Sequence, residues 1–223
     1  MLKAVLFDLD GTLLNTLPDL HTSVNVALAE LGLPPRTEDE VRSFVGNGVD
    51  KLIERALGAA RAEPLPYGDD LHARAKALFQ AHYADHMADE TAPYPGVIEL
   101  LGALRDRGII RAVISNKYDD AVQVVCAQYF GDLCDLAIGE SEEIPPKPAP
   151  DGSWKALKML GIDAGEAVYV GDSDVDAQTA HNASLRFIGV TWGFRSREVL
   201  ERAGAEVIVD TAEELLAVLA KEW

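Results

Sequence analysis

The sequence predicts an α/β fold: a doubly wound parallel sheet with an all-helical unit inserted after its first strand. Three observations predict it. Six short apolar runs lie at residues 4–7, 112–114, 136–138, 167–170, 187–190 and 207–209. Their apolar residues are consecutive rather than alternate, the mark of strands covered on both faces. Amphipathic helical patterns lie between these runs, which is the rhythm of a parallel sheet. From about Leu14 to Thr91 that rhythm stops and only helical pattern remains.

The first run, Ala4-Val5-Leu6-Phe7, ends at Asp8 and is too short for a signal peptide or a membrane span. In the insert, Leu17, Leu20, Val24, Leu28 and Leu31 form one apolar stripe. Thr37 and Glu40 have capping-box spacing ahead of Val41 and Phe44. Leu52, Ile53, Ala56 and Leu57 mark a third helix, and residues 71–87 a longer fourth. Pro34-Pro35, the 64–68 stretch and Pro93-Tyr94-Pro95-Gly96 punctuate the series. A core of residues 1–14 and 92–223 with an insert of 15–91 is therefore expected. Beyond the insert, Val97, Ile98, Leu101 and Leu104 share a helical face, as do Trp154, Leu157 and Leu160. Gly108, Gly131 and Gly161 stand where helices are expected to end.

Composition narrows the function. With 223 residues, 48% hydrophobic and 26% charged, the chain has ordinary globular values, which excludes disorder. Its formal charge of 20 − 37 = −17 would repel a nucleic acid or an anionic membrane. Cys126 and Cys134 form no CxxC, so neither a disulfide framework nor a zinc site is indicated. A cytoplasmic protein is expected.

Four polar segments sit where ligands gather in such folds, beyond the C-terminal ends of strands. Asp8-Leu9-Asp10-Gly11-Thr12 follows the first strand, and its two carboxylates suit a hard divalent cation, although Asp-Gly is also a common turn. Ser115-Asn116-Lys117 follows the run 112–114; its hydroxyl could hold an anion or merely cap the next helix. Lys147 stands in Pro145-Pro146-Lys147-Pro148, a stiff non-helical support. Gly171-Asp172-Ser173-Asp174-Val175-Asp176 closes the run 167–170 and opens a helix. An EF-hand fails there, since Ala177 and Ala183 replace the required glycine and glutamate. Asp174 fits the favourable charge of a helix N-terminus and is left out of the site.

Jointly these segments resemble the four motifs of the haloacid dehalogenase superfamily of phosphohydrolases, in order and approximate spacing. The likeness covers essentially the whole chain, and the helical insert resembles the cap of the phosphoglycolate phosphatase-like branch. Ser115-Asn116-Lys117, Lys147-Pro148 and Thr191-Trp192-Gly193-Phe194 are similar to that branch's versions of these segments. Asn15 and Ser184 depart from the common aspartate and glycine.

The resemblance implies a Rossmann-like core and a Mg²⁺-dependent phosphomonoester hydrolase working through an aspartyl-phosphate. Asp8 would be the nucleophile and Asp10 the general acid and base. Mg²⁺ would be held by Asp8, the Asp10 main-chain carbonyl and Asp172, with Asp176 supporting or joining through water. Ser115 and Lys147 would grip the phosphate, with Thr12 and Asn116 as further binding groups. Gly46 and Asn47, in the Gly46-Asn47-Gly48 loop, would help select substrate, though this could equally be a plain turn. The expected partner is a small phosphorylated metabolite, 2-phosphoglycolate first.

Rivals are a sugar phosphomutase or a pyrophosphatase of the same superfamily. A haloacid dehalogenase would lack Asp10. From another class, a receiver-type signalling domain also joins carboxylates, a hydroxyl and a lysine on a doubly wound sheet, but would have no helical insert and no turnover.

Overall fold

The computed structural model describes residues 1–59 and 70–221, so the expected 64–68 break lies outside the described residues. The chain divides into two compact units, Met1–Asn15 with Pro93–Trp223 and Thr16–Ala92.

The first unit is built on a six-stranded sheet. Its strands are β1 (Ala4–Phe7), β4 (Ile110–Tyr118), β5 (Leu136–Glu140), β6 (Ala167–Gly171), β7 (Arg186–Val190) and β8 (Val207–Val209), in spatial order β5-β4-β1-β6-β7-β8. Every pairing is parallel: Ala4 lies opposite Ile110 on one side and Ala167 on the other. The order steps outward from β1 through β4 to β5, then restarts at β6 and runs the other way. With right-handed crossovers this places helices on both faces and a crevice at the C-terminal end of β1.

The helices of this unit are α5 (Val97–Asp106), α6 (Asp119–Tyr129), α7 (Asp151–Leu160), α8 (Asp174–Asn182), α9 (Arg197–Arg202) and α10 (Ala212–Lys221). Consecutive apolar residues are explained by burial on both faces: all four residues of β1 have no exposed surface. Leu6, Ala112, Ile114, Ile138 and Tyr169 pack with Ala156, Leu157 and Ala180 on one face. Gly108, Gly131 and Gly161 all take positive φ where helices end, which a side chain would strain.

The second unit holds α1 (Leu17–Glu30), α2 (Glu38–Phe44), α3 (Gly48–Ala59) and α4 (Leu71–His86). The expected stripe on α1 is buried from Leu17 to Leu28, while Leu31 lies just past the helix end. Thr37 and Glu40 form the capping box, Thr37 Oγ1 accepting from Glu40 N at 3.2 Å and Thr37 N donating to Glu40 Oε2 at 2.7 Å. Asp19, 3% exposed, accepts from the main-chain N–H of Glu90 and of Thr91, tying the start of α1 to the segment after α4. Two short strands, β2 (Leu14–Asn15) and β3 (Ala92–Pro93), form a separate two-stranded sheet. No helix among the described residues is long and apolar enough to cross a membrane.

Candidate active site

Asp8 is the first residue past β1, and its N–H is held by the Val170 carbonyl of neighbouring β6 at 2.9 Å. Asp172 is the first residue past β6. Parallel pairing in register (Phe7 opposite Val170) therefore brings these two carboxylates to the same end of adjacent strands. Asp176 joins them from the first turn of α8. Ser173 caps that helix, and the Asp176 carboxylate accepts from Ser173 N at 3.1 Å and Ser173 Oγ at 2.6 Å. Asp174, which has the helix-start position expected of it, is exposed and lies 3.7 Å from Arg195 Nε.

Asp8, Asp172 and Asp176 bring ligand oxygens within 4.8 Å of one another, all buried. Lys147 is buried among them, its Nζ 2.6 Å from Asp8 Oδ1 and 2.7 Å from Asp176 Oδ1. The Tyr169 ring lies 5.9 Å from the same ammonium. One cation against three buried carboxylates leaves excess negative charge. Burial, then the charge of Asp176, pushes Asp172 up to about 7. Burial and Asp176 likewise hold Asp8 well above the ordinary carboxylate range, against the pull of Lys147. Burial pulls Lys147 down, but Asp176 and Asp8 outweigh it and hold the ammonium well above its ordinary value. The donor set therefore fits a hard divalent cation: all-oxygen, anionic and short of positive charge. Asp8, Asp172 and Asp176 are the side chains that would hold it, and a Mg²⁺ ion would supply charge to draw in and polarise a phosphate.

The Asp172 carboxylate is fixed from both sides. Thr12 Oγ1 donates to Oδ1 at 3.1 Å and Phe194 N to Oδ2 at 2.7 Å. Gly11 is required here, since it takes φ +97° and a Cβ would lie 2.6 Å from Asp172 Oδ2.

The Ser115 segment differs from the expectation. The strand does not stop at Ile114 but continues through Tyr118, with a shift of register against β5 between those residues. Ser115 is thus inside the strand and caps no helix; the N-cap of α6 is Tyr118. The apolar pattern missed this because Ser115, Asn116 and Lys117 are buried through polar partners. Ser115 Oγ accepts from Lys117 N at 3.1 Å. Asn116 grips the Lys147 main chain at both ends, accepting from its N–H at 2.6 Å and donating to its carbonyl at 3.1 Å. That gives the Asn116 side chain an architectural task, fixing the base of the lysine. Lys117 Nζ reaches Asp10 Oδ1 at 2.9 Å, with both side chains largely buried.

The core unit thus assembles Asp8, Asp10, Thr12, Ser115, Asn116, Lys147, Asp172 and Asp176. Gly46 and Asn47 belong to the other unit, in the turn between α2 and α3. There Gly46 takes φ +122°, and Arg55 donates to Phe44 O at 2.6 Å and to Asn47 Oδ1 at 2.8 Å. The sequence reading gave no role to Lys117 beside Asp10, to Tyr169 near Lys147, or to the Phe194 N–H. A signal for the last existed: residues 191–194 also follow a strand at its C-terminal end.

The sequence profile of the haloacid dehalogenase-like hydrolases matches residues 5–190. The phosphoglycolate phosphatase of Vibrio parahaemolyticus is 34% identical over 224 residues, covering 98% of this chain and 96% of that protein. A crystal structure from Lactobacillus delbrueckii subsp. bulgaricus overlays with a TM-score of 0.94 at 38% identity, covering 99% of each chain. CbbY from Rhodobacter sphaeroides, solved in complex with phosphate, overlays with a TM-score of 0.76 at 29% identity, covering 96% of each. The chain belongs to the haloacid dehalogenase-like hydrolases, in their phosphoglycolate phosphatase-like branch, and is a phosphoric monoester hydrolase.

Proposed function

We propose that the protein hydrolyses a small phosphomonoester, 2-phosphoglycolate foremost, with Mg²⁺ and through a phosphorylated Asp8. The observation that carries this reading is the Lys147–Asp8 contact, beside Asp172 and Asp176. In this reading Asp8, as the nucleophile, has beside it the cation that would accompany an incoming phosphate. Mg²⁺, when bound, supplies charge that offsets the repulsion between phosphate and this acidic site.

Asp8 attacks phosphorus in line, and the bond to the ester oxygen breaks as the bond to the Asp8 carboxylate forms. Asp10, two residues on, protonates the departing oxygen and then takes a proton from the water that cleaves the acyl phosphate. Ser115 Oγ–H and the Lys147 ammonium bind the non-bridging oxygens, where charge must be held in the transition state. Asn116 keeps the lysine in place, and Thr12 does the same for Asp172. The helical unit would act as the cap that excludes water and, through Gly46 and Asn47, selects the ester. Oligomeric assembly plays no part in this reading, and a cytoplasmic metabolite is the natural substrate.

Support for 2-phosphoglycolate comes from the likeness to proteins named for that activity. The test is release of inorganic phosphate from a panel of phosphorylated metabolites with and without Mg²⁺. The highest kcat/KM is expected for 2-phosphoglycolate. Faster turnover of a sugar phosphate would move the assignment to that class, and recovery of an isomerised sugar phosphate would make it a mutase.

A further inference from the structure

The loop after β7 meets the candidate cation site at Asp172 and at the neighbouring Gly11-Thr12 segment. Thr191 N donates to Val209 O at 3.1 Å, and its Oγ1 to Asp210 Oδ1 at 2.6 Å. Those bonds anchor one end of the loop to β8. At the other end Phe194 N donates to Asp172 Oδ2 at 2.7 Å. Gly193 lies between them with no space for a side chain: a Cβ would collide with the Gly11 carbonyl and with Asp172 itself. In the middle, the Trp192 indole Nε1–H donates to the carbonyl of Thr12 at 3.0 Å.

Thr12 closes the circuit, because its hydroxyl donates to the other Asp172 oxygen at 3.1 Å. Each carboxylate oxygen offers two in-plane lone-pair directions. One on each is taken by Phe194 N or Thr12 Oγ1, which leaves one on each for a further partner. The plane of the Asp172 carboxylate is thus set by two donors. Phe194 is part of the loop, and Thr12 is held to the loop by Trp192.

We infer that Trp192 is a positioning residue for metal binding: its indole N–H pins Thr12, and through Thr12 orients the Asp172 carboxylate toward the cation. Trp192 donates to no metal-ligand side chain itself. The inference rests on the reading of Asp172 as a metal ligand. Groups that orient ligands from outside the coordination sphere set affinity as well as geometry.

The test uses the full chain and Mn²⁺ as a spectroscopic probe, with binding followed by electron paramagnetic resonance. Two variants separate the hydrogen bond from the packing of the ring. Trp192→Phe keeps an aromatic ring without the N–H, and 3-benzothienylalanine at position 192 keeps the indole shape without the N–H. Both are expected to bind Mn²⁺ about fivefold more weakly than the parent chain, one step further out than direct ligand partners, whose loss costs roughly 10–100-fold. Melting in EDTA should be little changed for the benzothienyl protein. Should Trp192→Phe fail to fold, the benzothienyl protein decides alone. Affinity within twofold of the parent chain for that protein would overturn the inference, leaving Trp192 a packing residue. A parent chain that binds no Mn²⁺ at millimolar concentration would instead overturn the metal reading beneath it.

Discussion

Lys147 Nζ bridges Asp8 and Asp176, 2.6 Å from one carboxylate and 2.7 Å from the other. The first residue beyond β1 and the first turn of α8 are thereby joined by one buried ammonium. That lysine has two tasks at once. It neutralises part of an acidic cluster, and in the proposed reaction it must turn toward the oxygens of an incoming phosphate.

Lys147→Ala should therefore harm the protein twice. Two buried carboxylates lose their partner, which costs about 3–5 kcal/mol of stability. Phosphate capture falls as well, so KM for any ester should rise. Lys117→Ala removes a partner of Asp10 instead. It should lower kcat for alkyl esters, whose leaving oxygen needs a proton, more than for p-nitrophenyl phosphate. Steady-state kinetics on both substrates check the distinction; equal profiles for the two variants would merge the roles assigned to these lysines.

Asp8→Asn should keep the fold and lose turnover by on the order of 10⁴-fold or more, since an amide cannot act as this nucleophile. Phosphate release from protein verified by mass spectrometry as free of deamidation measures it. Substantial residual turnover would remove Asp8 from the nucleophile's role.

Asp172 makes the metal-free protein sensitive to pH. Its carboxyl sits near 7 in the folded chain, raised by burial and then by Asp176, against about 3.9 in an unfolded one. A raised carboxyl favours folding below the unfolded value, and that contribution is lost as pH climbs through 7. In EDTA, Asp172→Asn should thus gain stability relative to the unsubstituted chain between pH 5 and pH 8. Thermal melts across that range read the difference. A gap that stays constant, or moves the other way, would mean Asp172 ionises without penalty.

In the helical unit, Arg55 ties the 44–47 turn together through Phe44 O and Asn47 Oδ1. Asn47→Ala or Arg55→Ala should loosen that turn and change kcat/KM for 2-phosphoglycolate more than for p-nitrophenyl phosphate. A parallel fall for both esters would make the turn a structural element only.

Much of the core was legible because burial on both faces writes itself as consecutive apolar residues: β1, β6 and β7 begin or end within one residue of the expected runs. β4 was not, and the reason is chemical. Its second residue is Arg111, whose guanidinium donates to the carbonyls of Leu133, Ile109 and Asp132 and to Asp135, so a charged residue is 5% exposed. Near its end come Ser115, Asn116 and Lys117, all buried, and the side-chain partners of Asn116 and Lys117 lie 31 and 107 residues away. Periodicity registers apolar burial and is blind to burial satisfied by hydrogen bonds. For the same reason the sequence assigns Lys117 no role of its own. Its partner Asp10 is 107 residues away, and no local pattern encodes such a contact. The Ser173–Asp176 capping box has its spacing written in the sequence, although there only Asp174 is assigned to the helix N-terminus.

The central claim is that Asp8 carries the phosphoryl group, and it is tested most directly by trapping that state. In Asp10→Asn with p-nitrophenyl phosphate, the first step needs no acid because p-nitrophenolate leaves unaided, while the second lacks its base. The account predicts a burst of close to one p-nitrophenol per active site. Acid quench and peptide mass spectrometry should then find one phosphoryl group on Asp8. A full burst with the phosphoryl group on another residue, or steady phosphate release with no phosphorylated protein at any time, would contradict it.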